Sequence, residues 1–402
     1  MNHRIRSKTE TIHGATSRPR LTIVSYLAHS PLGPRGDRTQ ELLSALRREW
    51  SIDLVARAID SVASTRPQVG RPLGRRTLHV AHSSILLDKF EPWSLRRFFS
   101  WHPHAAGALL IGSPFSPLVY ASRRLAAFGI PYVVDVGDPW ALTAERPLVR
   151  NLALVRARRA EQRLWMGASG AVVTTENQAC GLRDLFPELP ILVRPNGFPT
   201  VNHDGSSHVL RTERRSESVL RIAHFGNVSS ARLDVVPFLV SLARAGVWER
   251  VELHVFGSDW TGTLRDARDV TVVFHESRPW PEIVREARGY DVAMVIGNRD
   301  PQQLPSKAIV YLQLPIPRLA VVQDLQTDAL AEYVADKKGW IALRADTGDA
   351  AARIDRHVSR TWTTDDLAAP PTESWEQVSE SVARFVWHVL APHVLADAAI
   401  AR

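Results

Sequence analysis

The chain has 402 residues, 45% hydrophobic and 23% charged, with 50 Lys plus Arg against 42 Asp plus Glu for a formal net charge of +8. That length predicts two or three folded units around a substantial core, and the apolar fraction excludes a disordered, collagenous or coiled-coil chain. A single cysteine, Cys180, excludes an intramolecular disulfide framework and a cysteine-based zinc site, and it fits a reducing compartment.

Residues 1–20 carry Arg4, Arg6, Lys8, Arg18 and Arg20 against Glu10, with no apolar core. They read as a basic flexible tail and not as a signal peptide. From 21 to 197, short apolar runs at 21–27, 52–56, 77–81, 108–111, 132–136, 171–174 and 191–193 are interleaved with helix-period segments at 39–49, 118–128 and 148–165. Strands without a polar face, alternating with helices, predict an α/β domain built on a doubly wound parallel sheet. The polar stretch 198–219, rich in Ser, Arg, His and Asp, reads as a linker.

A second alternation occupies 220–372, with strands expected at 220–225, 251–256, 270–274, 292–296, 319–322 and 340–343 and helices at 235–245, 281–288, 306–314 and 327–335. The fold class is therefore two Rossmann-like halves in tandem, with ligands expected in a cleft at the carboxyl ends of the strands. Trp375, Val378, Val382, Phe385, Val386 and Val389 recur at helical spacing, so 373–402 is expected to form a helix packing back on the N-terminal domain, with Pro392 kinking or ending it. Arg384, His388, Pro392 and Asp397 rule this stretch out as a membrane span, and the cytoplasm is the expected location.

The charge divides unevenly. Residues 1–197 hold 27 basic and 15 acidic side chains, a net +12, whereas 198–402 hold 23 and 27, a net −4. Nucleic-acid binding is disfavoured, because the arginines are dispersed, no nucleic-acid motif occurs and the acidic half would be repelled. No dinucleotide fingerprint or P-loop sequence is present, so nicotinamide oxidoreductases and P-loop NTPases lose support.

Several loops carry candidate chemistry. After the first strand, Gly33 and Gly36 permit close backbone approach and Arg38 follows them into a helix: an anion or hydroxyl site, or merely a turn. His29 stands just after the same strand, at the end where ligands are expected. His102 and His104 precede a strand's amino end, away from the expected site, and read as surface or cap residues. Asp138 and Trp140 follow the strand at 132–136; either the carboxylate accepts from sugar hydroxyls beside an aromatic face, or the acid caps the next segment and the Trp is core. Residues 194–198 read as a turn between the halves.

In the second half, Gly226 and Asn227 end a strand and Arg232 follows, so a phosphate could approach the glycine and be neutralised by the guanidinium. Gly257 likewise follows a strand. Pro305 and Ser306 read as a helix start with Lys307 in its first turn, where a cation opposes the helix dipole unless an anion faces it; the alternative is a solvated lysine.

The tandem pattern, the glycine loop with Arg38, IPYVVDVGDPW at 130–140, PNGF at 195–198, HFGNVSSARLD at 224–234 and LPSKAIVYLQLPIPRLAVV at 304–322 together resemble retaining glycosyltransferases of the GT-B fold, of the family 4 or group 1 type, over nearly the whole chain. The resemblance implies a nucleotide-diphosphate-sugar donor held by the C-terminal domain and a saccharide or lipid-linked acceptor held by the N-terminal domain. It implies catalysis with no cofactor and no obligatory metal, consistent with the lack of a usable D-x-D pair. On these positions Gly226 and Arg232 correspond to donor-diphosphate contacts, Lys307 to the basic position of P-S-K, Gly33, Gly36 and Arg38 to the acceptor-side loop, and Asp138 to the acid of a D-x-W-like segment. Arg232, Lys307 and Asp138 are the expected catalytic set, and Gly226, Asn227, Gly257, Pro305, Ser306 and Glu276 the donor-binding set.

One position departs from the pattern: Val310 stands where the family has a ribose-binding glutamate. Either Glu276 or Asp324 replaces it, the donor is held differently, or the chain is a catalytically weak partner or scaffold. Envelope polysaccharide or glycolipid synthesis is the expected setting. Arg150, Arg156, Arg158, Arg159 and Arg163 lie among Leu152, Leu154, Val155, Leu164 and Trp165, and Arg96 and Arg97 precede two phenylalanines. Such a mixture suits an anionic membrane surface, against the plainer reading of a helix that buries its apolar stripe and solvates its arginines.

Overall fold

A computed structural model describes residues 18–25, 28, 34–56, 105–112, 114–142, 152–199, 218–229 and 231–400. The strand expected at 77–81 and residues His29, Gly33, Arg96, Arg97, His102, His104 and Arg150 lie outside them.

The first sheet contains β1 (Arg20–Ser25), β2 (Ser51–Ala56), β3 (Gly107–Gly112), β4 (Tyr132–Val136), β5 (Gly170–Val173) and β6 (Ile191–Val193), all parallel in the order β2-β1-β3-β4-β5-β6. The second contains β7 (Val219–Phe225), β8 (Arg250–Phe256), β9 (Thr271–His275), β10 (Val292–Ile296), β11 (Arg318–Val322) and β12 (Trp340–Arg344), parallel in the order β12-β11-β10-β7-β8-β9. Every residue of β4, β10 and β11 is buried, as a strand covered by helices on both faces requires, while edge strands β2 and β9 are only partly covered. Each half is thus doubly wound. Its order reverses between β1 and β3 in the first sheet and between β7 and β10 in the second, and these reversals open crevices at the strands' carboxyl ends.

Helices α1 (Pro34–Leu46), α2 (Ser116–Ala127), α3 (Leu152–Met166) and α4 (Glu176–Leu185) serve the first sheet. The sequence periodicity misses α4, whose residues are largely polar. Its start is fixed by Thr175, whose hydroxyl accepts from Gln178 N at 3.2 Å. The second half has α5 (Val236–Arg244), α6 (Trp280–Glu286), α7 (Ser306–Val310), α8 (Ala329–Val334), α9 (Ala350–Val358), α10 (Thr364–Leu367) and α11 (Trp375–Ile400).

The last helix belongs to the first domain's core. Val382, Val386 and Leu390 are fully buried with Leu21, Leu42, Leu46, Leu109 and Val172, each such side chain contributing about 1.5–3 kcal/mol relative to exposure. Trp387 meets Trp50 edge-on at 5.1 Å. A Cβ on Gly107 would come within 2.8 Å of Leu390, so that glycine sets how closely the helix lies on the sheet. Pro392 lies inside the helix, which runs on to Ile400, so of the two outcomes expected there it does not end the helix. One expectation is corrected here. Residues 194–198 form a crossing and not a turn: Phe198 N donates to Glu373 O, Trp375 N donates to Phe198 O, and a Cβ on Gly197 would lie 2.6 Å from Trp375 Cα.

Candidate functional site

The crevice between β7 and β10 is built from two loops. The loop after β7 holds Gly226, Asn227 and Arg232, and the loop after β10 holds Gly297, Asn298 and Gln303. They are pinned together by Leu233 N donating to Gly297 O at 3.0 Å and Arg299 N donating to Ala231 O at 2.9 Å. Lys307 reaches in from α7, its Nζ donating to Asn227 O at 3.4 Å. A Cβ on Gly226, whose φ is +135°, would sit 2.1 Å from Lys307 Cε. The missing side chain thus leaves room for the end of Lys307 beside the Gly226 backbone. Gly257, at φ +155°, lets the β8 loop approach Gly226, and Asn227 Oδ1 accepts from Ser258 N at 2.8 Å, so the Asn227 side chain ties loop to loop.

Arg232 and Lys307 are both half-buried, and neither forms an ion pair among the described residues. Arg232 Nη1 donates to the neutral Asn298 Oδ1. Burial, followed by the neighbouring Arg232 charge, lowers the Lys307 ammonium to about 7; burial also lowers Arg232. Beneath them His224 is fully buried. Its Nδ1 lies 2.9 Å from Met294 O and so carries the proton, while Nε2 has no protein partner among the described residues. Burial first, and then the Lys307 charge, holds this imidazole neutral at about 3. Tyr311 Oη accepts from Phe225 N at 2.6 Å, fastening the end of β7 to the turn after α7. Two partly desolvated cations with only neutral partners make a site short of negative charge, at the place where this fold binds ligands.

Other candidates fall elsewhere. Pro305 and Ser306 begin α7, but α7 has five residues before a 3-10 turn, too few aligned peptides for the dipole argument made from sequence. Glu276 is exposed just beyond the edge strand β9. Val310 packs against the apolar cluster of Ile309, Leu312 and Leu304, and Asp324 caps its own loop, accepting from Gln326 N and Thr327 N at 2.9 Å each.

On the opposite side Asp138 is half-buried, accepting from Gln303 Nε2 across the domains. Trp140 is buried and stacked on Phe115 at 4.7 Å, so it is a core residue. Arg38 is corrected as an acceptor contact. Its Nε donates to both Asp135 oxygens at 3.0 Å, Nη1 to Pro195 O at 3.2 Å and Asn196 Oδ1 at 3.3 Å, and Nη2 to Arg194 O at 3.3 Å. All three nitrogens are engaged by protein, making the side chain an internal strut. Gly36 is buried in the first turn of α1. On α3, Ala157, Ala160, Leu164 and Trp165 are buried and Arg156, Arg159 and Arg163 face outward with Val155 and Met166, the plainer of the two readings of this helix.

Sequence reasoning missed His224, Asn298, Gln303 and Tyr311. A lone histidine in the apolar strand before Gly226 was a visible signal, and Tyr311 shares a helix face with Lys307 four residues earlier. Asn298 and Gln303 had none. Among the described residues no group of three or more His, Cys, Asp or Glu could hold a metal, and no helix is long and apolar enough to cross a membrane.

No family model matches the chain and no curated protein matches it. Solved structures do. A sucrose-phosphate synthase from Thermosynechococcus elongatus aligns at TM-score 0.55 and 13% identity over 96% of this chain and 100% of that one. An α,α-trehalose-phosphate synthase (UDP-forming) from Burkholderia vietnamiensis aligns at 0.52 and 13% over 94% and 97%, and Anabaena HepE in complex with UDP at 0.51 and 12% over 95% and 99%. At such identity the likeness establishes the fold: two Rossmann-like parallel-sheet domains facing a cleft, the GT-B architecture.

Proposed function

We propose that this GT-B-fold chain is a glycosyltransferase that moves a sugar from a nucleoside-diphosphate sugar to a hydroxyl acceptor with retention. The carrying observation is the pair Arg232 and Lys307: two partly buried cations without a carboxylate at the reversal point of the second sheet. A diphosphate supplies the missing negative charge, and structural neighbours include a UDP complex and a UDP-forming synthase. In this reading the cations stabilise charge developing on the departing diphosphate while the acceptor hydroxyl attacks from the same face, so the protein acts by positioning and electrostatics and requires no metal. Asp138 faces the acceptor in this reading, and His29, Gly33 and Gly36 are proposed acceptor contacts on the sequence motif alone. The family 4 type, an envelope polysaccharide or glycolipid product and a lipid-linked acceptor at an anionic membrane surface are finer proposals, resting on the sequence motifs and the basic first half.

The test is calorimetry of nucleoside diphosphates with the full chain. UDP or a related diphosphate is expected to bind, and Lys307→Ala is expected to weaken it; a parent protein that binds no nucleoside diphosphate defeats the reading at its first step. Val310 favours a second reading, a catalytically weak partner, because its side chain sits in apolar packing and accepts no hydrogen bond. A gain in UDP binding by Val310→Glu supports lost ribose recognition, and no gain argues against it.

A further inference from the structure

The contact between the domains and the anion site are joined by one unbroken series of hydrogen bonds. Arg232 Nη1 donates to Asn298 Oδ1, Asn298 Nδ2 donates to Gln303 O at 2.8 Å, and Gln303 Nε2 donates to Asp138 Oδ1. The geometry points to Asn298 and Gln303 as positioning residues that hold the cation Arg232 and the carboxylate Asp138 in a single interdomain unit. The names donor side and acceptor side for its two ends rest on the glycosyltransferase reading; the unit itself does not.

Each link is directional. Asn298 is buried, with both ends of its amide engaged by groups of fixed polarity. Turning that amide over would set NH2 against a guanidinium and oxygen against a carbonyl, two repulsive pairs in place of two bonds. Only an uncharged amide serves here. A carboxylate would neutralise Arg232 and lose the donor to Gln303, and an aliphatic residue would strand both neighbours. Gln303 is equally constrained: its own N–H donates to Asp300 O at 3.1 Å, Gln302 N donates to Asp300 Oδ1 at 3.1 Å, and the resulting turn aims the side chain at the first domain. Two further bonds cross at the same place, Thr175 Oγ1 to Gln302 O at 3.1 Å and Asn177 Nδ2 to Thr327 O at 2.8 Å. Of the three crossings, the one through Gln303 leads on to Arg232, by way of the Gln303 backbone carbonyl and the Asn298 side chain. A neutral amide meeting a carboxylate also makes a contact that can open, which a buried ion pair would resist.

The test reads the interdomain separation and needs no substrate. Cys180 is the chain's one cysteine and is exposed on α4, so adding Arg268→Cys, on the exposed side of the second domain, gives a unique spin-label pair for dipolar distance measurement in the full chain. The parent pair is expected to give one narrow distance peak. Gln303→Ala is expected to lose it, and so is Asn298→Ala, although the hydrogen bonds of Asn298 all lie within the second domain. Gln303→Glu alone opposes two carboxylates and is expected to lose the peak as well. Gln303→Glu combined with Asp138→Asn exchanges donor and acceptor and is expected to restore it. That restoration keeps the test decisive where an alanine variant is poorly folded by circular dichroism. A peak unchanged in both alanine variants, or not restored by the exchange, overturns the proposal. Titration of the same parent protein with UDP is scored separately: absence of UDP binding defeats the glycosyltransferase reading while the distance peaks still decide the interdomain unit.

Discussion

Each half of the molecule places an arginine shortly after its first strand, Arg38 after β1 and Arg232 after β7, and the two have opposite surroundings. Arg38 is buried against the Asp135 carboxylate and three carbonyl or amide oxygens from residues 194–196. Arg232 has the neutral Asn298 and, close by, a second cation. Arg38, whose charge is answered within the chain, is a strut, and in the glycosyltransferase reading Arg232 is left for a ligand. A missing counter-ion is not enough by itself, because the fully buried Arg318 has no carboxylate partner among the described residues and is held by the carbonyls of Tyr311, Leu312, Leu314 and Leu367; Arg232 differs in having one neutral side-chain acceptor and a second cation beside it.

The largest effect that would break this contrast is expected at Asp135. Asp135→Ala strips the carboxylate from a fully buried guanidinium, and the loss is expected to be about 3–5 kcal/mol of stability in denaturant unfolding. The double replacement Arg38→Met with Asp135→Leu removes both charges and should cost much less than the single change. Equal losses would mean that the pair stabilises by packing and not by charge.

Arg232→Ala reverses the pattern. With no carboxylate stranded, the loss of unfolding stability should stay at that of the buried Asn298 Oδ1 left without its donor, about 1–3 kcal/mol and less than for Asp135→Ala, and Lys307, freed of a like charge, should titrate higher. UDP binding should weaken by about 1.5–3 kcal/mol, the range for a hydrogen bond to a charged group, or roughly ten- to a hundredfold in Kd. A variant that loses stability and keeps UDP affinity would make Arg232 a second strut.

Lys307 sharpens the contrast through pH. Its folded-state value of about 7 lies below the ordinary 10.5, so between those limits the unfolded chain binds more protons than the folded one. Stability should therefore rise with pH across that window, by at most about 1.4 kcal/mol per unit from this group. Binding runs the other way: the protonated ammonium favours the anion, so UDP affinity should increase as pH falls from 8 to 6. Lys307→Met should flatten both slopes. Below neutrality His224, held neutral at about 3 by burial, makes acid destabilising as pH falls through the ordinary histidine range, in both parent and variant.

Much of this fold is legible in the sequence, because the strands are covered on both faces and so read as apolar runs, as at 132–136 and 292–296. Helix α4 is not legible, because its stability comes from the Thr175 cap and from packing of Ala179 and Leu182 within a polar run. The cations Arg232 and Lys307 could be picked out as charges following a glycine and entering a helix. What could not be read is which arginine carries a counter-ion, since Asp135 pairs with Arg38 from 97 residues away, or that Asn298 and Gln303 would bridge to Asp138. Such partnerships are products of the tertiary fold and leave no local periodicity.

The smallest expected effect tests how completely Arg38 is satisfied. Asn196 Oδ1 accepts from its Nη1 at 3.3 Å, but the same nitrogen also reaches Pro195 O at 3.2 Å and the carboxylate lies on Nε. Removing the amide by Asn196→Ala leaves no buried charge unpaired, so the cost should be that of one ordinary hydrogen bond, about 0.5–1.5 kcal/mol, with the UDP Kd unchanged. The two asparagines then separate the two arginines: each supplies an oxygen to a guanidinium, yet only at Arg232 is that oxygen the sole protein acceptor among the described side-chain contacts. If Asn196→Ala instead weakened UDP without altering unfolding, Arg38 would be a ligand contact and not a strut, and the contrast between the two arginines would fall.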